Sequence, residues 1–238
     1  MRPIVIVKVG SSAPVLGPNQ PDFEHWIASG MGVALDKVRV CSPHLGDVFP
    51  KLEDIAGVVV TGSAAMVTDK ADWSEQTAVW MGKVVAAQIP ILGICYGHQL
   101  LAHALGGVVD YNPKGREIGT VDIDVNEVGQ ADELLGSLPT HFGAQASHSQ
   151  SVIRLPKEAR LLASNDLEPH HAFAVGDCAW GVQFHPEFDA TFIRALIDHR
   201  EKDLEAEGLD VDALRLGIRE TPEAYGVLKR FAELVAQF

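Results

Sequence analysis

Residues 91–99 read ILGICYGHQ and contain the transition that decides the fold. The apolar run that ends at Ile94 is typical of a buried strand, and a helical pattern begins directly after Cys95. Gly93 and Gly97 flank the cysteine, and glycines at these positions permit a sharp turn that raises the central residue above the sheet. The stretch therefore predicts a strand, an elbow and a helix, with Cys95 at the apex.

Strand-like and helix-like segments alternate on the N-terminal side of this elbow. The predicted buried strands, rich in valine and isoleucine, are residues 4–9, 37–41, 58–61 and 89–94. The predicted helices are residues 22–31, 74–88 and 97–105, the second with Ser74 as its N-cap. This order indicates parallel strands joined by right-handed helical crossovers.

The pattern changes after Gly107. Apolar residues alternate with acidic and amide side chains over residues 121–126, which predicts a strand with one wet face and an antiparallel extension of the sheet. Residues 172–175 and 180–184 predict a hairpin around Gly176. From Ala190 onward the sequence is charged and helical in period, and two or three packed helices are expected.

These segments predict two regions: an α/β domain over residues 1–200 and a helical extension over residues 201–238 that packs on it. The extension carries an apolar stripe at helical spacing: Leu228, Phe231, Leu234 and Val235. The stripe could close over a pocket or meet a second chain, but such stripes are usually core, and packing on the sheet is the favoured interpretation.

The bulk composition excludes several function classes. The chain has 238 residues and a formal net charge of -13, which argues against a nucleic-acid partner because phosphate recognition needs clustered cations. No apolar run is long enough to cross a bilayer. The odd count of cysteines, three, fits reduced thiols. A cytoplasmic protein without membrane contact, metal or cofactor is expected.

A general base for Cys95 is predicted at residues 181–187, GVQFHPE, where an alternating strand ends at His185. Glu187 follows two residues later, so both side chains lie on one side of an extended chain. The elbow alone is equally compatible with a small, buried, inert cysteine. A histidine oriented by a carboxylate favours catalysis, because a thiol needs an activating partner.

The two motifs together, residues 93–107 and 181–188, resemble the class I glutamine amidotransferases, especially stand-alone members similar to the glutaminase domain of GMP synthase. The resemblance covers roughly residues 4–200. It implies an α/β fold, a flavodoxin-like three-layer sandwich with a mostly parallel central sheet.

The resemblance also implies roles for site residues. Cys95, His185 and Glu187 are expected to form the catalytic triad, and the backbone amides of Ser63 and Tyr96 the oxyanion hole. The residues expected to contact substrate are Gly62, Gln99, Ser147, His148 and Ser149. Two segments depart from the family pattern: Ser63-Ala64 replaces a Gly-Pro pair, and Ser149-Gln150 replaces a Gly-Asp pair.

The implied reaction is hydrolysis of a γ-glutamyl amide, glutamine to glutamate and ammonia, through a Cys95 thioester. Ammonia could pass to a synthetase subunit. A first alternative is a γ-glutamyl peptide hydrolase without ammonia transfer, which both departures modestly favour. A second alternative is a catalytically silent binding or regulatory module, against which the presence of all three triad residues counts.

Overall fold

The computed structural model describes residues 2–238. Its strands are β1 (Ile4–Val7), β2 (Val38–Cys41), β3 (Gly57–Val60), β4 (Ile91–Ile94), β5 (Val108–Tyr111), β6 (Glu117–Val125), β7 (His141–His148), β8 (Gln150–Arg154), β9 (Ala159–Ser164), β10 (Ala172–Val175) and β11 (Ala179–Val182). Its α-helices are α1 (Ala13–Leu16), α2 (Phe23–Gly30), α3 (Asp72–Ala86), α4 (Tyr96–Ala104), α5 (Glu127–Gln130), α6 (Ala190–His199), α7 (Glu201–Ala206), α8 (Val211–Gly217) and α9 (Pro222–Val235).

Within these residues one large sheet has the strand order β2-β1-β3-β4-β11-β10-β9-β6-β7. The first five of these strands are parallel neighbours. The remaining pairs are antiparallel, so only β10 and β6 run against the common direction. The mostly parallel sheet with an antiparallel extension is confirmed. A second, small sheet pairs β5 with β8.

Helices cover both faces of the parallel half. In β1, Ile4 and Ile6 point into one core, together with side chains of α2, α6 and α9, while Val5 and Val7 point into the other, together with α3 and α4. This alternation follows from the period of two along a strand. Because both faces are buried, the strands read as unbroken apolar runs, and the three-layer sandwich is confirmed.

Two local predictions were wrong. Helix α3 begins at Asp72 after Ala71, so Ser74 is not its N-cap. The Ser74 hydroxyl is buried inside the helix, where it lies 2.5 Å from the hydroxyl of Tyr96. The segment from Ala190 forms four helices, because the chain also breaks at Arg200, where neither glycine nor proline marks the boundary.

The apolar stripe of α9 is buried. Leu228 and Phe231 are fully inaccessible, and Phe231 meets Trp180 of β11 edge-on, with ring centroids 6.4 Å apart. Val235 lies so close to Gly57 of β3 that a side chain there would collide with it. The stripe therefore packs on the sheet. Within residues 2–238, no helix combines the length and apolar character of a bilayer-crossing segment.

We predict that Phe231→Ala lowers the free energy of unfolding by about 3–5 kcal/mol, because it removes a buried aromatic side chain and leaves a cavity against Trp180. Urea unfolding followed by tryptophan fluorescence measures the change. Leu216→Ala is the control, since Leu216 is 88% exposed on α8 and its removal should cost less than about 0.5 kcal/mol. Equal losses in the two variants would contradict the packing described.

Candidate active site

Cys95 occupies the turn between β4 and α4 with φ of 50° and ψ of -101°. A non-glycine residue in such a conformation costs on the order of 1–3 kcal/mol, and it persists only where the surroundings enforce it. Here the Cys95 amide donates to the Val182 carbonyl at 2.9 Å, and its carbonyl accepts from the Gln99 amide at 3.0 Å. The sheet and the helix thus hold the strained residue from both sides.

Two glycines make this turn possible through close backbone approach. A Cβ atom on Gly93 would lie 2.4 Å from the Gly97 carbonyl oxygen, and one on Gly97 would lie 2.4 Å from the Val60 carbonyl oxygen. Neither distance is tolerated by real side chains. Both positions of the elbow therefore require glycine for steric room, while the cysteine between them carries the unusual backbone angles.

His185 follows β11, the strand next to β4, and is held on several sides. Its Nδ1 atom lies 2.8 Å from Glu187 Oε1, and its ring stacks on Phe188 with centroids 3.8 Å apart and planes 5° from parallel. Its backbone amide donates to the Gln145 carbonyl at 2.8 Å. A Cβ on Gly62 would lie 2.7 Å from its Cε1 atom. The imidazole is therefore fixed in orientation beside the elbow.

The charges of these groups support one another. Burial raises the pKa of the Cys95 thiol, but the charge of His185 and its hydrogen bond to the sulfur outweigh burial, and the pKa lies below its ordinary value. Burial lowers the pKa of His185, yet the charges of Glu187 and Cys95 raise it above its ordinary value. Both shifts favour a thiolate beside an imidazolium, which is the reactive form of a cysteine nucleophile.

Ser63 and Tyr96, the residues predicted to form the oxyanion hole, lie on either side of Cys95. Within residues 2–238 neither backbone amide donates to another backbone carbonyl outside the regular elements. Positive φ among the described non-glycine residues is confined to Lys70, Gln88 and Cys95, so the turn does not demand glycine at Ser63. The Ser63 hydroxyl accepts from the Ala65 amide at 3.1 Å and stabilises the turn.

A polar cavity of about 50 Å³ opens from Cys95 toward β7 and β8. Four of the five residues predicted to contact substrate line it: Gln99, Ser147, His148 and Ser149. Gly62 does not line it and instead lies against His185. The Gln99 amide nitrogen donates to the Gln150 carbonyl at 2.8 Å and to Gln183 Oε1 at 3.0 Å, which orients this side chain.

Gln150 stands where the family pattern has aspartate, and the structure gives it a local role. Its Oε1 atom accepts from the Val67 amide at 3.1 Å, and its Nε2 atom donates to the Thr68 hydroxyl at 2.5 Å. A carboxylate could accept from both partners, but it could not donate to the Thr68 hydroxyl as the Gln150 amide does. Gln150 thereby holds the loop after Ser63 against β8.

His148 belongs to a buried charged cluster behind the polar cavity. Its Nε2 atom lies 2.9 Å from Glu117 Oε2, and its Nδ1 atom lies 3.0 Å from the Gln150 carbonyl. Burial lowers the pKa of His148, but the hydrogen bond and charge of Glu117 raise it above its ordinary value. Its positive charge further lowers the pKa of Cys95. His148 acts on the thiol through this charge, whereas His185 touches it.

A second cavity, of about 110 Å³, opens from Cys95 on the other side. We call it the aromatic cavity, after its wall residues Phe23, Phe188 and Phe192. His185 lines it, and Ser63, Ala64, Cys95, Ser147 and Arg200 line both cavities. Sequence reasoning missed Arg116, Arg200 and Phe188. Only Phe188 carried a signal, since it directly follows the His-Pro-Glu motif.

We predict that alkylation of Cys95 by iodoacetamide follows a pH profile whose midpoint lies below that of free cysteine in the same buffers. Cys41 and Cys178 should not interfere, because burial raises the pKa of both thiols. In Glu187→Gln the midpoint should move upward, since the loss of the charge that keeps His185 protonated outweighs the loss of the smaller direct repulsion between Glu187 and the thiolate. Mass spectrometry of the peptides measures each rate. A wild-type profile that superimposes on free cysteine would disprove the ion pair.

We predict that Gly62→Ala slows this alkylation at neutral pH by about tenfold or more, because its methyl group would displace the His185 ring, and a shift near 1 Å is costly in such sites. Gly82→Ala in α3 is the matched control, because a Cβ there meets no atom within 4 Å. Both variants should melt cooperatively. Wild-type reactivity in Gly62→Ala would show that the ring does not depend on this contact.

Comparison with known proteins places this site in a family. The model of the family "Glutamine amidotransferase class-I" matches residues 23–197. A GMP synthase [glutamine-hydrolyzing] from Aeropyrum pernix is 36% identical over 156 residues, covering 65% of this chain and 28% of that protein. Gamma-glutamyl peptidase 4 from Arabidopsis thaliana is 31% identical over 156 residues, covering 63% of this chain and 62% of that protein.

The chain thus spans less than two thirds of the length of these curated relatives. The crystal structure of a glutamine amidotransferase from Thermotoga maritima superimposes with a TM-score of 0.77 at 21% identity, covering all of both chains, which shows a shared fold. The family model includes the elbow at Cys95 and the His185–Glu187 pair, and it extends over most of the sequence. The chain belongs to the class I glutamine amidotransferase family.

Proposed function

We propose that this protein hydrolyses γ-glutamyl amides through a thioester on Cys95, with His185 and Glu187 completing the triad. One observation carries the proposal. A cysteine held at positive φ on a strand-to-helix elbow lies beside a histidine that a carboxylate orients at 2.8 Å. A strained conformation and a buried ion pair at the same residue are typical of catalytic nucleophiles.

In the first half-reaction the Cys95 thiolate attacks the γ-carbonyl carbon, and the carbonyl electrons move onto oxygen. The amides of Ser63 and Tyr96 donate to this oxyanion, aided by the positive end of α4. As the tetrahedral adduct collapses, the carbon–nitrogen bond breaks and the His185 imidazolium gives its proton to the departing nitrogen. A neutral amine and a γ-glutamyl thioester result.

In the second half-reaction water replaces the amine. Neutral His185 removes a proton from the water, the hydroxide adds to the thioester carbon, and the carbon–sulfur bond breaks to regenerate thiolate and imidazolium. The second product is the free γ-carboxylic acid. Glu187 orients His185 and stabilises its charge in both halves without itself becoming protonated.

The polar cavity supports a γ-glutamyl specificity. Gln99, Ser147 and Ser149 surround the space next to Cys95, and they can offer hydrogen bonds to the α-amino and α-carboxylate groups of a glutamyl unit. His148 lines the same space, but both of its ring nitrogens are already engaged by Glu117 and Gln150. Arg116 lies at the same cavity, but Glu207 neutralises it through hydrogen bonds of 2.7 and 2.8 Å. With glutamine as substrate, the ammonia released would feed a synthetase partner, as the names of the GMP synthase relatives imply.

Hydrolysis of γ-glutamyl peptides is the second candidate. It is supported by the name of the Arabidopsis relative, whose length is matched more fully than that of the synthases. The aromatic cavity adds a structural reason, since it offers space next to Cys95 that ammonia does not need. Both candidates share the same thioester chemistry and differ only in the departing amine.

We predict that the glutamine-analogue electrophile 6-diazo-5-oxo-norleucine forms a single adduct with the wild-type protein, located on Cys95. Its ketone would lie where the substrate carbonyl lies, and the neighbouring diazo carbon, once protonated, would form a bond to the sulfur as N2 leaves. Intact-protein mass spectrometry followed by peptide mapping detects it. Cys95→Ser should show no adduct and should lose at least ~10³-fold in γ-glutamyl hydrolysis.

Cys178→Ser serves as the matched control, because Cys178 is buried at the opposite end of the β4–β11 pair from Cys95 and should leave labelling intact. A wild-type protein that stays unlabelled and turns over neither glutamine nor a γ-glutamyl peptide would favour the silent binding module over this proposal.

A further inference from the structure

The two cavities differ in what they can bind, and Cys95 lies between them. The polar cavity is lined by amide and hydroxyl groups, by His148 and Arg116, and, at its border with the other cavity, by Arg200, and such groups suit the polar end of a glutamyl unit. The aromatic cavity has a wall of apolar side chains: the buried Phe23, Phe188, Phe192 and Leu196 and the partly buried Val15. A nucleophile placed between two such spaces separates the acyl part of its substrate from the departing part.

The position of His185 identifies which space receives the departing part. His185 lines the aromatic cavity and is not among the residues lining the polar cavity. The proposed mechanism requires its proton to reach the departing nitrogen, so that nitrogen and whatever it carries must lie on the same side. The acyl part is then left in the polar cavity.

The size and chemistry of the aromatic cavity exceed the needs of ammonia. A water-sized molecule needs roughly 10–15 Å³, whereas this cavity measures about 110 Å³. Its aromatic and aliphatic side chains gain from contact with an apolar group and offer no hydrogen bond to ammonia, while Arg200, two histidines and three serines form the polar part of the lining. The space fits an amine that carries an apolar side chain.

Arg200 supplies a charge where the two cavities meet. Within residues 2–238 it forms no salt bridge, and its Nε atom is buried without a hydrogen-bond partner. Its neighbour Arg116 is neutralised by Glu207. The described lining of the aromatic cavity includes neither aspartate nor glutamate. In a chain of net charge -13, an unpaired, partly buried guanidinium at this place is suited to a carboxylate ligand.

We propose that the aromatic cavity is a leaving-group site for an amino acid with an apolar or aromatic side chain, and that Arg200 binds the carboxylate of that amino acid. The substrate class is therefore γ-glutamyl-amino acids with large apolar residues. This inference rests on the proposed function, whose thioester chemistry it keeps, and it deepens that function by choosing the departing amine.

The test compares kcat/KM of the wild-type protein for four substrates: γ-glutamyl-phenylalanine, γ-glutamyl-glycine, γ-glutamyl-phenethylamine and glutamine. The kcat/KM for γ-glutamyl-phenylalanine should exceed that for γ-glutamyl-glycine by about tenfold or more, because the phenyl ring is buried in the aromatic cavity. The kcat/KM for γ-glutamyl-phenylalanine should also exceed that for γ-glutamyl-phenethylamine by about tenfold. The second substrate lacks only the carboxylate and therefore cannot form the charge-assisted hydrogen bond to Arg200. Glutamine should be turned over more slowly than γ-glutamyl-phenylalanine.

In Arg200→Gln, the ratio of kcat/KM for γ-glutamyl-phenylalanine to kcat/KM for γ-glutamyl-phenethylamine should fall close to one. Arg194→Gln is the matched control, because Arg194 lies on the exposed side of α6, the helix that Arg200 directly follows, and should keep the wild-type ratio. If Arg200→Gln lowers kcat/KM equally for all four substrates and preserves the ratio, Arg200 binds the glutamyl unit and the inference is wrong.

Failure of the inference differs from failure of the proposed function. Labelling of Cys95 by the diazoketone, together with glutamine turnover equal to or above that of γ-glutamyl-phenylalanine, would overturn the leaving-group site alone. Absence of both labelling and turnover of every substrate would overturn the thioester chemistry and the leaving-group site with it.

Discussion

The backbone of Cys95 is the constraint on which the site depends. Its positive φ is unfavourable for any side chain, and it is maintained because β4 ends in hydrogen bonds to β11 while α4 begins on the next residue. Because Gly93 and Gly97 have no side chain, the Gly97 carbonyl can approach the backbone of Gly93, and the Val60 carbonyl can approach the backbone of Gly97. Moving the sulfur would therefore require the parallel sheet and its covering helix to move together.

The electrostatics follow from that placement. The sulfur is buried, which alone would favour the neutral thiol, yet the pKa values of two histidines close to it are raised, because each has a buried carboxylate partner that favours its charged form. Glu187 holds the imidazole that touches the thiol, and Glu117 holds the one behind the polar cavity. The site thus places its cations where the protein is driest, so water screens their effect on the sulfur only weakly.

Most of the fold could be predicted because each element carried a local signal. Buried parallel strands such as β3 and β4 are short apolar runs, and the elbow is marked by its two glycines. The break at Arg200 and the start of α3 could not be predicted, since neither boundary has a side-chain cap that the sequence could reveal. Propensity is a weak guide wherever packing decides.

The residues of the candidate site differ in the same way: those in local motifs could be predicted, and those that only folding places there could not. Cys95, His185 and Glu187 lie in contiguous motifs, and the structure brings them together as the resemblance implied; their roles remain proposals. Gly62 was expected to contact substrate, but it makes room for the His185 ring. Arg200 gave no signal, because an arginine in a charged helical segment looks like any solvated cation until the chain folds over the cavity.

The pairing of β4 with β11 also has a consequence for how the chain matures. Gly181 and Val182 lie opposite Gly93 and Ile94, so the nucleophile and its base become neighbours only when strands distant in sequence have joined. Loop closure over such a separation is slow compared with the formation of single helices. A growing or partly folded chain therefore contains only an ordinary thiol at position 95. Chemical reactivity appears late, as a sign that the central sheet is complete.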